Sequence, residues 1–543
     1  MTEIPQQNLR NKVSVGGFTF LRPQFITYFA ALIWGLFTSM IFPPVEASAL
    51  VWIVLLPLLF TGRRSFALGF WFGFGHFFLS LFWLRTIHPA VVFPLAAYCA
   101  IYSGIWVLLF RRVEKYLPGA LFRTFAGTVM WVMLDFLRGA ILTGFPWNFL
   151  GIALWRNPDV GLIRFTGVYG ETFLIVFSNL ALVECLRQAT GKTFKFKSIK
   201  SWLLPSAVLG LFLLTAVFDR TVMYDKADGV LRVLPVQGNI PLCRIYTEEE
   251  FLNARDTYFD LTRKGLKTEK PDLVIWPETA VPASLRYTRS YLYPFLTLVR
   301  DLNLPFLIGN VDYRTDPDRP FGDKLCYNSA MYFSGEGDNL QNYDKTHPVP
   351  FGEFVPFGER FPQLNEMLGM GRNLTAGTEF TVFSQHSPAR FGVNICYEDV
   401  FSQISRNFVL GGANILMTIT NDAWYHETAG SHQHFAHSVF RAMENNVYFL
   451  RSGNRSYSSL TAPDGTLKDC YKGEDGGVFV KDAKVIEIPY TKNPTKTFYT
   501  LHGDLFAKLC CLLSVIFVLY FICCWYHQKC RLLQRIHAVE DCS

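Results

Sequence analysis

Eight mostly apolar stretches, at about 25–42, 49–61, 66–86, 90–110, 122–142, 160–186, 201–219 and 504–526, constrain this chain more than anything else in it. About 20 apolar residues span a hydrocarbon core, and a helix satisfies its own backbone hydrogen bonds there. Seven stretches precede residue 220 and one follows residue 503, while the segment between has the make-up of an ordinary globular domain. The first stretch ends at Pro43–Pro44 and the second is short, so their limits are the least sharp. Half of the 543 residues are hydrophobic and 16% are aromatic, a bias that fits a chain dissolved partly in lipid. No lone N-terminal apolar run precedes a small-residue cleavage site, so a removable signal peptide is not expected.

Charge orients the spans. Basic residues cluster at Arg63–Arg64, at Arg111, Arg112 and Lys115, at Arg187, Lys192, Lys195, Lys197 and Lys200, and at Lys529, Arg531 and Arg535. With eight spans these four clusters share one side, which the positive-inside tendency makes cytoplasmic. Both termini are then cytoplasmic, and 220–503 lies outside, in the periplasm of a bacterium. The expected division is a membrane domain of about seven helices at 1–219, an outer domain at 220–503, an eighth span at 504–526 and a cytoplasmic tail at 527–543. The net charge of +7 is spread over span ends and does not form the concentrated basic face that nucleic acid requires. Of twelve cysteines, only Cys243, Cys326, Cys396 and Cys470 fall in the outer domain, without a CxxC zinc pattern. A disulfide among Cys243, Cys326 and Cys470 suits an oxidising compartment, with its pairing open.

The outer segment alternates strand-like runs (Leu231–Gln237, Leu273–Trp276, Phe306–Gly309, Ala389–Cys396 and Asn414–Thr420) with helical ones (Glu248–Leu266 and Phe435–Asn446). That alternation argues for an α/β layered domain. Three motifs stand at or just after strand ends. Trp276-Pro277-Glu278-Thr279 sets a carboxylate where partial desolvation raises its pKa toward that of a useful base. Tyr343-Asp344-Lys345-Thr346-His347-Pro348 sets a lysine in a loop rich in proline and glycine, where it favours a nearby thiolate or stabilises an oxyanion. Asn394-Ile395-Cys396-Tyr397-Glu398-Asp399 sets a cysteine at a strand-to-helix corner, which exposes a nucleophile beside a free backbone N–H. Taken singly, each motif is as well explained by a capping glutamate, a surface lysine or a buried structural cysteine.

Glutamate, lysine and cysteine in this order, each in its own strand-end motif, resemble the nitrilase superfamily. The resemblance implies an α-β-β-α sandwich with Glu278 as general base, Lys345 at the tetrahedral intermediate and Cys396 as nucleophile. Membrane spans around such a domain are similar to its membrane-bound branch, the apolipoprotein N-acyltransferases. Further matching motifs are Phe145-Pro146-Trp147, Val236-Gln237-Gly238-Asn239-Ile240-Pro241, the loop from Lys345 to Pro356, Asn421-Asp422-Ala423-Trp424, Gln433-His434-Phe435, Arg441-Ala442-Met443-Glu444 and Leu450-Arg451-Ser452. One position departs from the family: Tyr246 stands where a tryptophan is usual. The resemblance implies a fatty acyl transfer from a phospholipid such as phosphatidylethanolamine, through a thioester on Cys396, to the α-amine of a diacylglyceryl-cysteine lipoprotein, by a monomer in the bacterial inner membrane. Lys345 and the Tyr397 N–H would bind the oxyanion, Glu353 and Glu398 would assist the triad, and Trp147 and Trp424 would line the lipid entrance.

The rival readings are a membrane-tethered amidase or nitrilase acting on a small nitrogen compound, and an inactive lipoprotein-binding scaffold. Neither a metal nor another cofactor is expected: His426, His432, His434 and His437 cluster, but not in HExxH spacing. Glu171 and Glu184, in or near the sixth stretch, are intramembrane acids to which no role is assigned.

Overall fold

The computed structural model describes residues 23–61, 65–190, 199–222, 224–242, 247–281, 284–316, 324–358, 360–361, 363 and 373–540. Tyr246, Cys243, Arg63, Arg64, Lys192, Lys195 and Lys197 lie outside the described residues.

The N-terminal part is helical: α1 (Pro23–Thr38), α2 (Leu56–Phe60), α3 (Phe66–Ser80), α4 (Val92–Val113), α5 (Gly119–Arg138), α6 (Val160–Thr166), α7 (Val168–Thr190) and α8 (Ile199–Thr221). Glycines let α1 and α3 touch backbone to backbone. A Cβ on Gly35 would meet the Phe72 carbonyl oxygen at 2.0 Å, and one on Gly75 would meet the Leu32 oxygen at 2.2 Å. Small residues at such crossings are what helices in lipid use in place of a hydrophobic driving force.

Three of the expected spans differ in the structure, that at 66–86 being α3 followed by a 3-10 turn, Phe82–Thr86. The stretch at 49–61 is a 3-10 turn, Ser48–Ile53, followed by the five-residue α2. The stretch at 160–186 breaks at Gly167, where φ is +65° and a Cβ would lie 2.6 Å from the Tyr499 ring. That break frees α6 to pack against the outer domain, with Phe165 stacked 4.1 Å from Phe498.

The outer domain holds two sheets. The first runs β12 (Asp482–Ala483), β1 (Gly229–Gln237), β2 (Leu273–Val281), β3 (Phe306–Arg314), β4 (Leu325–Phe333) and β5 (Asn339–Asp344), with β13 (Ile486–Tyr490) also paired to β1. The second runs β11 (Leu467–Cys470), β10 (Ser459–Thr461), β9 (Tyr448–Asn454), β8 (Ile415–Asn421), β7 (Phe391–Ile395) and β6 (Val382–Phe383). At the heart of each sheet three strands run parallel, β1–β2–β3 and β7–β8–β9. Parallel strands are buried on both faces, and alternate residues show it. Leu273 and Ile275 of β2 join Leu231, Val233, Val393, Ile395, Met417 and Ile419 between the sheets. Val274 and Trp276 face the other way, against Tyr258 and Phe259 of α9 (Glu248–Gly265) and Tyr291 and Phe295 of α10 (Arg289–Leu302). Each such buried side chain contributes roughly 1.5–3 kcal/mol.

The second sheet is covered by α11 (Ser402–Leu410) and α12 (Ala429–Asn445), which completes an α-β-β-α sandwich. Helix α12 is buried nearly all round: Ala442 packs toward the second sheet, while Phe435, Val439, Phe440 and Met443 pack with the membrane helices. Beyond the short α13 (Phe498–His502), α14 (Leu505–Glu540) closes the chain. The tail expected from 527 is therefore helical to Glu540. Six helices among the described residues are long and apolar enough to cross a membrane: Gln24–Ile41, Pro89–Val113, Gly119–Arg138, Val168–Thr190, Trp202–Arg220 and Leu505–Ile536. The apolar stretches Ser48–Phe60 and Phe66–Ser80 are shorter, and at ~1.5 Å per residue they fall short of a hydrocarbon core. The molecule is thus a multi-pass helical membrane bundle joined to an α/β sandwich.

Candidate active site

Glu278, Lys345 and Cys396 meet at one end of the two sheets. Glu278 follows the buried run of β2 and is itself buried. The backbone turns sharply after it, with Thr279 at φ +48°. Gly309 of β3 makes room for that turn, since a Cβ there would lie 2.5 Å from both Glu278 Cα and the Pro277 oxygen. One carboxylate oxygen, Oε1, accepts a hydrogen bond from Asn328 Nδ2 at 2.8 Å. The other, Oε2, accepts from the Asn421 backbone N–H at 2.9 Å. The Cys396 thiol lies close enough to feel the charges of both Glu278 and Lys345.

Lys345 leaves the end of β5 and is 1% exposed. Its Nζ lies 2.8 Å from Glu353 Oε1 and 3.7 Å from Glu278 Oε1. Glu353 is fixed in turn by the Val349 N–H at 2.7 Å and by Asn328 Nδ2 at 3.2 Å. Cys396 sits at the strand-to-turn corner in the left-handed region, φ +53°, which costs a non-glycine residue about 1–3 kcal/mol unless its surroundings enforce it. The enforcement comes from Glu398. Its Oε2 accepts from the Ile395 N–H at 2.7 Å, just before the cysteine. Its Oε1 accepts from Thr346 N at 2.7 Å, Thr346 Oγ1 at 2.8 Å, Tyr343 OH at 2.8 Å and His347 N at 3.1 Å. One side chain thereby ties the cysteine turn to the lysine loop.

Burial sets the protonation states. It raises the Glu278 pKa; the Lys345 charge opposes the rise and Glu353 adds to it. Burial pushes the Cys396 thiol well above its ordinary value, and the Glu278 charge pushes it further. For Lys345 burial acts downward, but the Glu353 and Glu278 carboxylates outweigh it, and the ammonium is held charged. The resting arrangement is a neutral thiol beside a carboxylate, with a fixed cation alongside. His347, next in the loop, is kept neutral by burial and by the Lys345 charge, its pKa lowered to about 4.

An aromatic wall joins this centre to the membrane helices. Trp147 is buried and stacks on Tyr397, with ring centroids 6.1 Å apart. Trp83 lies 5.3 Å from Trp147 and 4.6 Å from Tyr425. Gln433 of α12 pins this wall: its Oε1 accepts from Trp147 Nε1 at 2.9 Å, Trp83 Nε1 at 3.1 Å and Asn148 Nδ2 at 3.1 Å. Its Nε2 donates to the Pro43 and Ser80 carbonyls, each at 3.1 Å. Of the two tryptophans expected to face lipid, Trp424 is 43% exposed, whereas Trp147 is 1% exposed and forms part of this packed wall. The reason is its indole N–H, which finds its partner inward on Gln433. Asn328 was not among the residues singled out from sequence. Its one trace there is an amide, next to Ser329, within the mostly apolar and aromatic run of β4.

The family comparisons agree with the two halves of this architecture. Residues 34–181 match the apolipoprotein N-acyltransferase N-terminal domain, and residues 236–479 match the carbon-nitrogen hydrolase domain. The apolipoprotein N-acyltransferase 1 of Treponema denticola is 30% identical, over 86% of this chain and 90% of its own length. The chain belongs to the apolipoprotein N-acyltransferase family. A second member, from Geobacter metallireducens, is 29% identical over 89% of this chain and 93% of its own. Among solved structures, a branch 10 nitrilase-superfamily protein of Saccharomyces cerevisiae aligns at TM-score 0.36 and 16% identity, covering 49% of this chain and 93% of its own. An amidase from Nesterenkonia sp. aligns at 0.34 and 15%, covering 50% and 94%.

Proposed function

We propose that this membrane acyltransferase N-acylates the terminal diacylglyceryl-cysteine of apolipoproteins, using a phospholipid donor and a thioester on Cys396. The observation that carries the reading is the meeting of a buried Glu278, a charged Lys345 and the buried Cys396 thiol beside an aromatic wall shared with the membrane helices. Both substrates keep their acyl chains in the bilayer and their reacting groups at its surface, where this junction stands.

In the first half-reaction Cys396 Sγ attacks the sn-1 ester carbonyl of the phospholipid, phosphatidylethanolamine in the simplest case, while its proton passes to Glu278. The S–C bond forms, and negative charge on the carbonyl oxygen is met by Lys345 Nζ and the Tyr397 N–H. The carbonyl re-forms as the ester C–O bond breaks, and Glu278 returns the proton to the departing glycerol oxygen. A lysophospholipid leaves and the thioester stays. In the second half the free α-amine attacks that thioester. The C–N bond forms, the C–S bond breaks, and Glu278 carries the amine proton to sulfur. Ping-pong kinetics follow. Glu353 keeps the ammonium in place and Glu398 holds the two loops in register. All of these groups come from one chain, which supports a monomeric enzyme. Basic span ends support a periplasmic sandwich and cytoplasmic termini.

The test is intact-protein mass spectrometry of the purified chain with phosphatidylethanolamine and no acceptor. The expected result is a gain of one fatty acyl group, absent in Cys396→Ser and discharged by a diacylglyceryl-cysteine peptide. Active, folded protein that never carries an acyl adduct would sink the thioester and favour a membrane-tethered amidase.

A further inference from the structure

Next to the nucleophile lies a second polar cluster that this mechanism does not use. His434 of α12 is wholly buried. Its Nε2 lies 2.8 Å from Asp399 Oδ1 and 3.3 Å from the main-chain oxygen of Cys396. Its Nδ1 lies 3.0 Å from Asp422 Oδ1. Arg451 of β9 reaches the same two carboxylates, Nη1 at 2.6 Å from Asp399 Oδ2 and Nη2 at 3.1 Å from Asp422 Oδ2. Ser438 Oγ donates to Asp399 at 2.7 Å and Thr420 Oγ1 to Asp422 at 3.0 Å.

Both ring nitrogens of His434 face oxygen acceptors, so both carry protons. Arg451 Nη2 also stands 2.9 Å from Nδ1, which a neutral ring would accept. That ring would leave two carboxylates against one guanidinium in a wholly buried site, whereas an imidazolium balances the charge.

The Cys396 carbonyl is one end of a peptide whose other end is the Tyr397 N–H, the oxyanion donor of the proposed mechanism. A charged donor on the carbonyl fixes the plane of that peptide and draws electron density toward its oxygen, which strengthens the N–H as a donor. Asp422, the ring's other partner, follows Asn421, whose N–H holds Glu278 Oε2 at 2.9 Å.

We propose that His434 is a positioning residue for acyl transfer: it orients and polarises the Cys396–Tyr397 peptide and, through Asp422, holds the turn that orients Glu278. The inference rests on the reading of Cys396 as nucleophile and of the Tyr397 N–H as oxyanion donor.

The groups facing His434 are Asp399 and Cys396 of the cysteine turn, Asp422 and Tyr425 of the next turn, His437 of its own helix and Arg451 of β9, with the Trp147 ring 5.7 Å away. Burial alone would lower its pKa. Burial is the largest single influence and Arg451 also acts downward, but the Asp399 and Asp422 carboxylates together outweigh them, and the value stands at about 9. The working form is therefore the protonated one, lost as pH rises through about 9.

The experiment follows thioester formation on the full chain in detergent, with phosphatidylethanolamine in mixed micelles, from pH 6 to 10. Wild-type acylation is expected to fall as pH passes about 9, while tryptophan fluorescence shows the protein still folded. His434→Gln is expected to acylate roughly tenfold to a hundredfold more slowly at pH 7, part of the ~10²–10³ that loss of an oxyanion donor costs. Its KM for the phospholipid stays unchanged and its alkaline fall disappears. Wild-type speed in His434→Gln with the alkaline fall retained overturns the proposal. If that variant does not fold, the wild-type profile decides alone: a rate flat to pH 10 overturns it. Failure of the underlying reading looks different, namely wild-type protein with no acyl adduct at any pH.

Discussion

Glu353 holds Lys345 and perturbs Glu278 with one carboxyl group. Its charge adds to the upward push on the Glu278 pKa. Glu278 works as a base only when ionised, so activity falls with pH as it drops through that raised pKa. Glu353→Gln keeps an acceptor for Lys345 but removes the charge. Its acid limb is therefore expected to move to lower pH, while maximal acylation drops about tenfold because the ammonium is held less firmly. A pH–rate profile of thioester formation checks both, and an unmoved acid limb would show that Glu353 does not act on Glu278. Glu398→Gln should be harsher. An amide presents one acceptor oxygen where the structure uses two, so the bond to the Ile395 N–H or those to Thr346 and His347 are lost. A fall of about 10²-fold in acylation is expected, with full-length protein still recovered from membranes.

At the scale of elements, the triad depends on how closely β2 and β3 approach. Gly309→Ala would drive a methyl group into the Glu278 backbone, 2.5 Å from its Cα, and neither strand can give way between its neighbours. The expected outcome is loss of acyl adduct together with a lowered thermal midpoint; a fully active alanine variant would contradict this packing. The strands were legible because a parallel strand buried on both faces reads as a mostly apolar run, as at Leu273–Trp276 and Asn414–Thr420. The Glu278 and Cys396 motifs were legible because each ends such a run, whereas Lys345 follows the polar edge strand β5 and was legible from its loop. Asn328 was not, because its part depends on a lateral neighbour, β4 against β3, that no local pattern encodes. The break at Gly167 was hidden for a related reason: glycine is common within spans, and only the Tyr499 ring lying against this one explains the turn.

For the whole molecule, the expected orientation is the same for six spans as for eight. The two shorter stretches, Ser48–Phe60 and Phe66–Ser80, are consecutive. Removing a consecutive pair from the count leaves the sandwich on the opposite side from the N-terminus, and α14 returns the chain to the starting side. Reporter fusions after Glu540 should therefore report cytoplasm, and reporters in the turn at Asp475 periplasm; both on one side would reject the arrangement.

Gln433 carries a lesson about what the helical half is for. Its side chain is the common anchor of five bonds that reach Pro43, Ser80, Trp83, Trp147 and Asn148, and α12 turns an oily face to the same helices. The helical part is thus not a tether that any hydrophobic segment could replace. It supplies one wall of the fold, and the two halves mature as a single unit. Residues 220–503 produced alone, or grafted onto a foreign single-pass helix, would present that oily face to water and be recovered as aggregate. Catalyst and anchor in this chain are therefore expected to fold and fail together.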